Sequence, residues 1–249
     1  MFQESIARYL RAHKYNNINL KAVLFDMDGV LFNSMPAHAE AWHKTMKRRG
    51  LNLSSNEAYL HEGRTGSATI NILFQRELGR KATEEDVVSF YKEKTDLYNT
   101  YPEAEPMPGT WELLNKVKKA GLTPMVVTGS GQHSLLDKLN DSFPNTFVPE
   151  LMVTAYDVKI GKPNPEPYLM ALEKGGFKQN EAIVVENAPL GVEAGVAAGV
   201  FTIAVNTGPL EDSILLNAGA NLLFPSMQAL SDNWEKLLTT IASFKTSRD

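Results

Sequence analysis

Two aspartates two residues apart, Asp26 and Asp28, close an apolar run in the segment KAVLFDMDGVLFNS, residues 21–34. Carboxylates this close repel one another unless a cation or a proton compensates. Mg²⁺, a hard cation, prefers oxygen ligands of this kind. On an extended chain residues i and i+2 point the same way, so both aspartates are expected beyond the C-terminal end of a strand. Open α/β sheets bind their ligands at that end. Gly29 then lets the backbone turn sharply. The plain alternative is a turn whose aspartates accept backbone N–H groups.

Three further segments place polar groups in the same way. VVTGSG, residues 126–131, sets Thr128 directly after an apolar run, and Gly129 and Ser130 offer N–H groups to phosphate oxygens. It also reads as a strand-to-helix turn, and it lacks the third glycine of a dinucleotide fingerprint. KIGKPNPEPY, residues 159–168, holds Lys162 ahead of prolines that fix the backbone. That lysine either neutralises charge near the aspartates or is simply solvated. It is not a Walker A lysine, because no Ser or Thr follows it. AIVVENAPLGVEAGVAAG, residues 182–199, ends a strand in Glu186 and Asn187, either of which can offer an oxygen to a metal. Asparagine is also a good helix cap. Each of the four groups ends a separate expected strand, so all converge on one rim of a sheet. Four unrelated turns have no reason to do so.

The elements that must position these groups alternate. Strands are expected at 22–26, 123–127, 151–154, 182–185, 201–205 and 221–224, most of them continuously apolar as strands covered on both faces must be. Helices are expected at 109–119, 133–140, 165–174, 189–198 and 226–243. The fold class is therefore α/β, a parallel sheet with helices on both sides. Residues 20–33 and 108–249 make this core, and 34–107 read as a helical cap inserted after the first strand. In the cap, one helix over 37–49 ends at Gly50, and the stripe Ile70, Leu73, Phe74, Leu78 ends at Gly79. Thr83 and Asp86 form a capping-box-like start to a helix over 83–98. Residues 1–19 carry an amphipathic helix, with Phe2, Ile6, Tyr9, Leu10 and His13 at helical spacing, to pack on the body or on a partner chain.

Composition excludes several classes. The 249 residues are 43% hydrophobic and 22% charged, with a net charge of −4, so no basic surface favours nucleic acid or anionic membrane. Without cysteine the chain has no disulfide, thiolate metal site or cysteine nucleophile. No apolar run is long enough to span a bilayer. The first twelve residues, with Glu4 and two arginines, do not read as a signal peptide, so a cytoplasmic location is expected.

The ordered set Asp26-Met27-Asp28-Gly29, Thr128-Gly129-Ser130, Lys162-Pro163 and Glu186-Asn187 resembles the haloacid dehalogenase-like superfamily of phosphohydrolases over residues 20 to about 240. The helical insert and the Gly-Lys-Pro and Gly-Val-Glu-Ala-Gly phrases resemble its β-phosphoglucomutase-like subfamily, and within that its bacterial inorganic pyrophosphatases. The resemblance implies a Rossmann-like core and a covalent mechanism. Asp26 is then the nucleophile that forms an aspartyl-phosphate, and Asp28 the general acid and base. Thr128, Gly129, Ser130 and Lys162 hold the phosphoryl group. Mg²⁺ takes the Asp26 side chain, the Asp28 carbonyl and Asn187, with Glu186 joining directly or through water.

The sequence departs from that pattern in two places. Motif four usually ends in aspartate, and Asn187 removes one negative charge from the metal site. The loop HEGRTG, residues 61–66, matches the subfamily's specificity loop, whose mutase form is Gly-Val-Ser-Arg. Here Gly63-Arg64-Thr65-Gly66 puts glycine in place of that arginine, and Ser130-Gly131-Gln132 lacks the lysine of the mutase phrase Ser-Lys-Asn. Arg64 can substitute from the neighbouring position. Glu62 would repel a sugar's second phosphate but suits a metal-bound diphosphate, or else it is a solvated loop residue. His38 matches a mutase histidine, or is a helix-surface histidine. The expected activity is Mg²⁺-dependent hydrolysis of a small phosphorylated substrate, inorganic pyrophosphate first. β-Phosphoglucomutase or sugar-phosphate phosphatase action is the alternative, and a non-catalytic phosphate-binding protein a third class.

Overall fold

The computed structural model describes residues 2–130 and 134–244. Strands β1 (Ala22–Phe25), β2 (Thr123–Val126), β3 (Ala182–Glu186), β4 (Phe201–Val205) and β5 (Leu222–Phe224) form one sheet in the order β2-β1-β3-β4-β5, with every neighbouring pair parallel. Strand β1 is therefore interior, flanked by β2 and β3. Alternation along the strands feeds two cores. Val23, Phe25, Val126, Ile183, Val185 and Ile203 join one buried cluster, and Ala22, Leu24, Met125, Ala182 and Val184 join the other.

The expected strand at 151–154 does not form. Val153 makes only an isolated parallel bridge with Val127, after a single 3₁₀ turn over Pro149–Leu151. Two hydrogen bonds, Val153 N–H to Val126 O and Thr128 N–H to Val153 O, hold it at the sheet edge. The 3₁₀ turn takes up Leu151 and another turn begins at Ala155, so Met152 and Val153 are buried without room to extend the sheet.

Helix α1 (Phe2–His13) buries Ile6, Tyr9 and Leu10 against the core of its own chain. The Tyr9 hydroxyl donates to Gly199 O at 2.9 Å, and its ring meets Phe201 edge-on at 5.3 Å.

Between β1 and β2 lie α2 (Met35–Arg48), α3 (Ser55–Leu60), α4 (Gly66–Leu78) and α5 (Glu84–Tyr98), with no strand among them. They share a separate apolar cluster that includes Ala39, Met46, Leu53, Ile70, Leu73 and Phe90. Thr83 and Asp86 form a reciprocal capping box at α5, and Gly79 ends α4 with φ 65°. Helix α3 was not expected. Its signal is Ser54, whose hydroxyl accepts from Glu57 N–H at 3.0 Å.

The remaining helices are α6 (Thr110–Lys119), α7 (Ser134–Ser142), α8 (Glu166–Gly175), α9 (Pro189–Ala197), α10 (Asp212–Asn217) and α11 (Met227–Ser243). Helices α1, α6 and α11 cover one face of the sheet, where Leu10, Leu113 and Trp234 are fully or almost fully buried. Helices α8 and α9 cover the other through Tyr168, Ala171 and Ala194. Helix α10 was also unexpected, since six residues are too few to show an apolar period. No helix among the described residues is long and apolar enough to cross a membrane.

Candidate active site

Strand β1 stops at Phe25, but Asp26 N–H still donates to Val185 O at 3.0 Å, which fixes the residue at the sheet rim. The chain then turns, with Leu31 and Phe32 N–H both on Met27 O at 2.9 and 3.1 Å. The turn, rather than an extended i, i+2 pair, carries Asp28 beside Asp26. It closes only with glycine at position 29, where φ is 79° and a Cβ would lie 2.0 Å from Asn187 Nδ2. Both aspartates line a cavity of about 80 Å³ under the helical insert, shared with His38, His61, Glu62 and Arg64.

Lys162 stands behind Asp26. Its ammonium donates to Asp26 Oδ1 at 2.5 Å, Glu186 Oε1 at 2.6 Å and Val127 O at 3.0 Å. One cation thus serves two buried carboxylates. Burial pushes the Asp26 carboxyl up, Lys162 opposes it, and Glu186 and Asp28 add to it, leaving it at about 8. Burial works against the Lys162 charge, but Asp26 and Glu186 outweigh it and hold the ammonium above the ordinary lysine range.

Asp28 has different company. Ser34 Oγ donates to its Oδ1 at 2.6 Å, and His38 Nε2 lies 3.3 Å from the same oxygen. Lys94 Nζ donates to His38 Nδ1 at 2.7 Å. An ammonium only donates, so Nδ1 accepts and Nε2 carries the hydrogen toward Asp28. Burial raises the Asp28 carboxyl, but His38, Ser34 and Lys94 outweigh it and bring it to about 2. Burial lowers Lys94 itself to about 8, against the pull of Asp28. Tyr98 stacks on His38 with ring centroids 4.0 Å apart, so His38 is a wedged site residue and not a surface one.

Glu186 and Asn187 divide their work. Glu186 Oε1 accepts from Lys162 and from the Tyr168 hydroxyl at 2.7 Å, and Oε2 accepts from the N–H groups of Asn187 and Ala188 at 3.1 and 3.3 Å. All these contacts point into the core. Gly191 makes room for them, since a Cβ there would sit 1.8 Å from Oε1. Asn187 Nδ2 donates to both oxygens of Glu62, at 3.1 and 3.2 Å, while its Oδ1 is buried without a partner. Glu62 is pushed well above the usual carboxylate range by burial, then by Asp26 and Glu186, against the Asn187 bond. It is a half-buried site residue, not a freely solvated one.

The other expected residues separate. Gly129, Ser130, Gly63 and Arg64 line the cavity. Thr128 Oγ1 accepts from Ser130 N–H at 3.0 Å and shapes the turn. Thr65 turns away to cap α4, accepting from Ala68 N–H at 3.3 Å, because a helix start needs that acceptor. Gly131 and Gln132 lie outside the described residues. Sequence reasoning missed Lys94, Tyr168 and Ser34. Lys94 follows Val87 and Phe90 on the buried stripe of α5, and a lysine in such a stripe needs a partner. Tyr168 is fully buried, so its hydroxyl needs one too.

These donors fit Mg²⁺. Among the described residues no three His, Asp or Glu side chains form a ready cage. The oxygens that suit the ion are a surplus carboxylate, Asp26, and the unpartnered amide oxygen of Asn187.

The sequence model of the haloacid dehalogenase-like hydrolases matches residues 23–205. The chain belongs to that family, and its parallel-sheet core is the family's Rossmann-like fold. Hexitol phosphatase A of Escherichia coli (strain K12) is 35% identical over 187 residues, which cover 75% of this chain and 83% of that protein. A phosphorylated carbohydrates phosphatase of Thermotoga maritima is 28% identical, over 85% of this chain and 97% of its own. A solved structure from Bacteroides vulgatus, provisionally named a beta-phosphoglucomutase, superposes with a TM-score of 0.94 at 65% identity, over 96% of this chain and 98% of that one. The resemblance to pyrophosphatases gains no support from these names, which denote carbohydrate-phosphate enzymes.

Proposed function

We propose that this protein is a phosphohydrolase of small phosphorylated substrates that works through an aspartyl-phosphate on Asp26. The observation that carries the reading is a set of three unpartnered buried atoms, Asn187 Oδ1, Arg64 Nε and His61 Nδ1, on residues at or beside one cavity. The amide oxygen calls for a cation and the Arg64 N–H for an anion. Buried polar atoms left without partners are costly, so a bound metal and phosphate are the natural occupants.

In this reading Asp26, ionised when Mg²⁺ is bound, attacks phosphorus, the bond to the leaving oxygen breaks, and Asp28, protonated once the anionic substrate lies beside it, supplies the proton that oxygen takes. Asp28 then takes a proton from the water that cleaves the aspartyl-phosphate. The Ser34 and His38 donors keep Asp28 aimed for both transfers. Lys162 keeps Asp26 oriented and presents positive charge to the phosphoryl group. Mg²⁺, when bound by Asp26, Asn187 and the Asp28 carbonyl, offsets phosphate charge. Glu186 serves by placing Lys162 and Asn187.

The names of the relatives support a sugar or polyol phosphate as the substrate class. A second reading, inorganic pyrophosphate, is favoured by the site itself. Its cavity over Asp26 is about 80 Å³, and with the adjoining one of about 220 Å³ that shares Asp28, His38 and Ser130 it only reaches the low end of the roughly 300–1,000 Å³ of ordinary ligand pockets. Glu62 also lines the cavity with a carboxylate, which suits the cation of a metal-bound diphosphate and repels a sugar's second phosphate. Mutase action is disfavoured because the only cation of the loop 62–66 is Arg64, and glycine stands at position 66 where the mutase phrase has arginine.

The test is phosphate release with Mg²⁺ from a hexitol phosphate, hexose 6-phosphates, β-glucose 1-phosphate and pyrophosphate, each repeated with Asp26→Asn. Metal-dependent release lost in the variant is the expected result. No release from any of them would leave the non-catalytic binding reading.

A further inference from the structure

The loop after α3 descends onto the rim of the sheet where two core residues have no side chain. A Cβ at Gly129, on the loop after β2, would lie 3.0 Å from Gly63 O, and a Cβ at Gly161, ahead of Lys162, would lie 3.1 Å from Thr65 Cγ2. Both distances are shorter than ordinary van der Waals contact, so any larger residue would lift the loop. Neither glycine sits in the left-handed region, and alanine at either position meets no backbone strain. Gly63 itself rests on the aliphatic stem of Lys162, where its own Cβ would lie 3.1 Å from Cδ. Conformation does not require glycine at 129 and 161. Close approach of the loop does.

The depth of this seat has two results. It brings Glu62 within 3.1 Å of Asn187 Nδ2, and it narrows the cavity over Asp26 to about 80 Å³, beside a second cavity of about 220 Å³ that shares Asp28, His38 and Ser130. We propose that Gly129 and Gly161 form a notch that sets the substrate size of this enzyme, seating residues 63–65 low enough that the closed site accepts a ligand the size of a diphosphate and excludes a sugar ring. The proposal rests on the reading that this cavity holds the substrate. A larger phosphate ester can be turned over only with the loop raised, which gives up the Glu62–Asn187 contact and admits water to the reacting atoms.

The variant is Gly161→Ala, compared with the double variant Gly161→Ala/Thr65→Ser. Serine keeps the hydroxyl that caps α4 and removes the methyl that the new Cβ meets. With Mg²⁺, kcat/KM for pyrophosphate falls about tenfold in Gly161→Ala, the size expected for a displacement of a few tenths of an ångström. For a hexose 6-phosphate it stays level or rises. The double variant restores most of the pyrophosphate loss. Equal losses on both substrates, or no rescue by serine, overturn the notch. If wild type hydrolyses neither substrate, the functional reading fails by itself. The notch is then read from amide hydrogen exchange of residues 61–66 with Mg²⁺ and inorganic phosphate. Faster exchange in Gly161→Ala, reversed in the double variant, is expected, and unchanged exchange overturns the proposal.

Discussion

Tyr168 donates its hydroxyl to Glu186 Oε1 at 2.7 Å, the same oxygen that accepts from Lys162, while its ring lies under the Lys162 ammonium at 5.2 Å from the centroid. A buried phenol thus holds the carboxylate that aims the lysine. Tyr168→Phe keeps the ring and removes one donor to a buried anion. The expected loss is about 1–2 kcal/mol of stability, since Glu186 keeps its other partners. At about 2–4 °C per kcal/mol for a chain of this size, that is a fall in Tm of roughly 2–8 °C. Activity falls less than for any change at Lys162. An unchanged melting temperature would contradict the bond.

Asp26 makes stability depend on pH in a stated direction. Its pKa is raised from 3.8 unfolded to about 8 folded. The folded state then holds a proton that the unfolded chain has lost. The stability this supplies is full below about 4 and drains away as pH climbs to about 8. Glu62, also raised, adds in the same sense. Melting in a chelating buffer is therefore expected to fall between pH 5 and 8, and Asp26→Asn to flatten the slope while abolishing turnover. Added Mg²⁺ restores the wild-type loss at pH 8. A melting temperature that rises over this range would contradict the crowding of carboxylates around one lysine.

The strand–helix alternation and the polar ends of β1, β2 and β3 were legible because each depends on neighbours in sequence. Apolar runs mark β1 to β5, and Asp26, Asp28, Lys162 and Asn187 follow from short motifs. What was hidden depends on packing across the insert. Glu62 reads as a loop carboxylate until the loop is seen seated on Gly129 and Gly161. Lys94 lies 56 positions from the His38 it bonds. The run 151–154 looks like a strand because burial alone gives an apolar run, whether or not a ladder forms. Asp28 reaches the site by a turn that periodicity cannot show.

Lys94 fixes the His38 tautomer, and its own pKa of about 8 places its discharge within reach of an ordinary pH profile. Above that pH the lysine can accept as well as donate, and His38 is free to turn its hydrogen from Asp28. The alkaline limb of kcat is expected near pH 8 with a poor leaving group, where proton donation by Asp28 limits the rate. Lys94→Met lowers kcat about a hundredfold on such a substrate, the lower end of general acid–base contributions. It also removes the limb near 8. A variant that keeps the same alkaline limb would place that titration elsewhere.

Glu62 decides between the two substrate readings. Its carboxylate is half-buried, faces Asn187 Nδ2, and stands with Asp26 and Asp28 around one small cavity. A bare carboxylate there repels a phosphate ester, yet it can take a cation or an ordered water carried by a diphosphate. For pyrophosphate, Glu62→Ala is expected to lower kcat/KM about a hundredfold, as loss of one preorganised polar group in a closed site does. For a hexose 6-phosphate the same variant leaves kcat/KM level or raises it, because it removes charge and opens space. Both constants measured on one preparation separate the readings. A large loss on the hexose phosphate with none on pyrophosphate would reverse the assignment and make Glu62 a ligand for sugar hydroxyls.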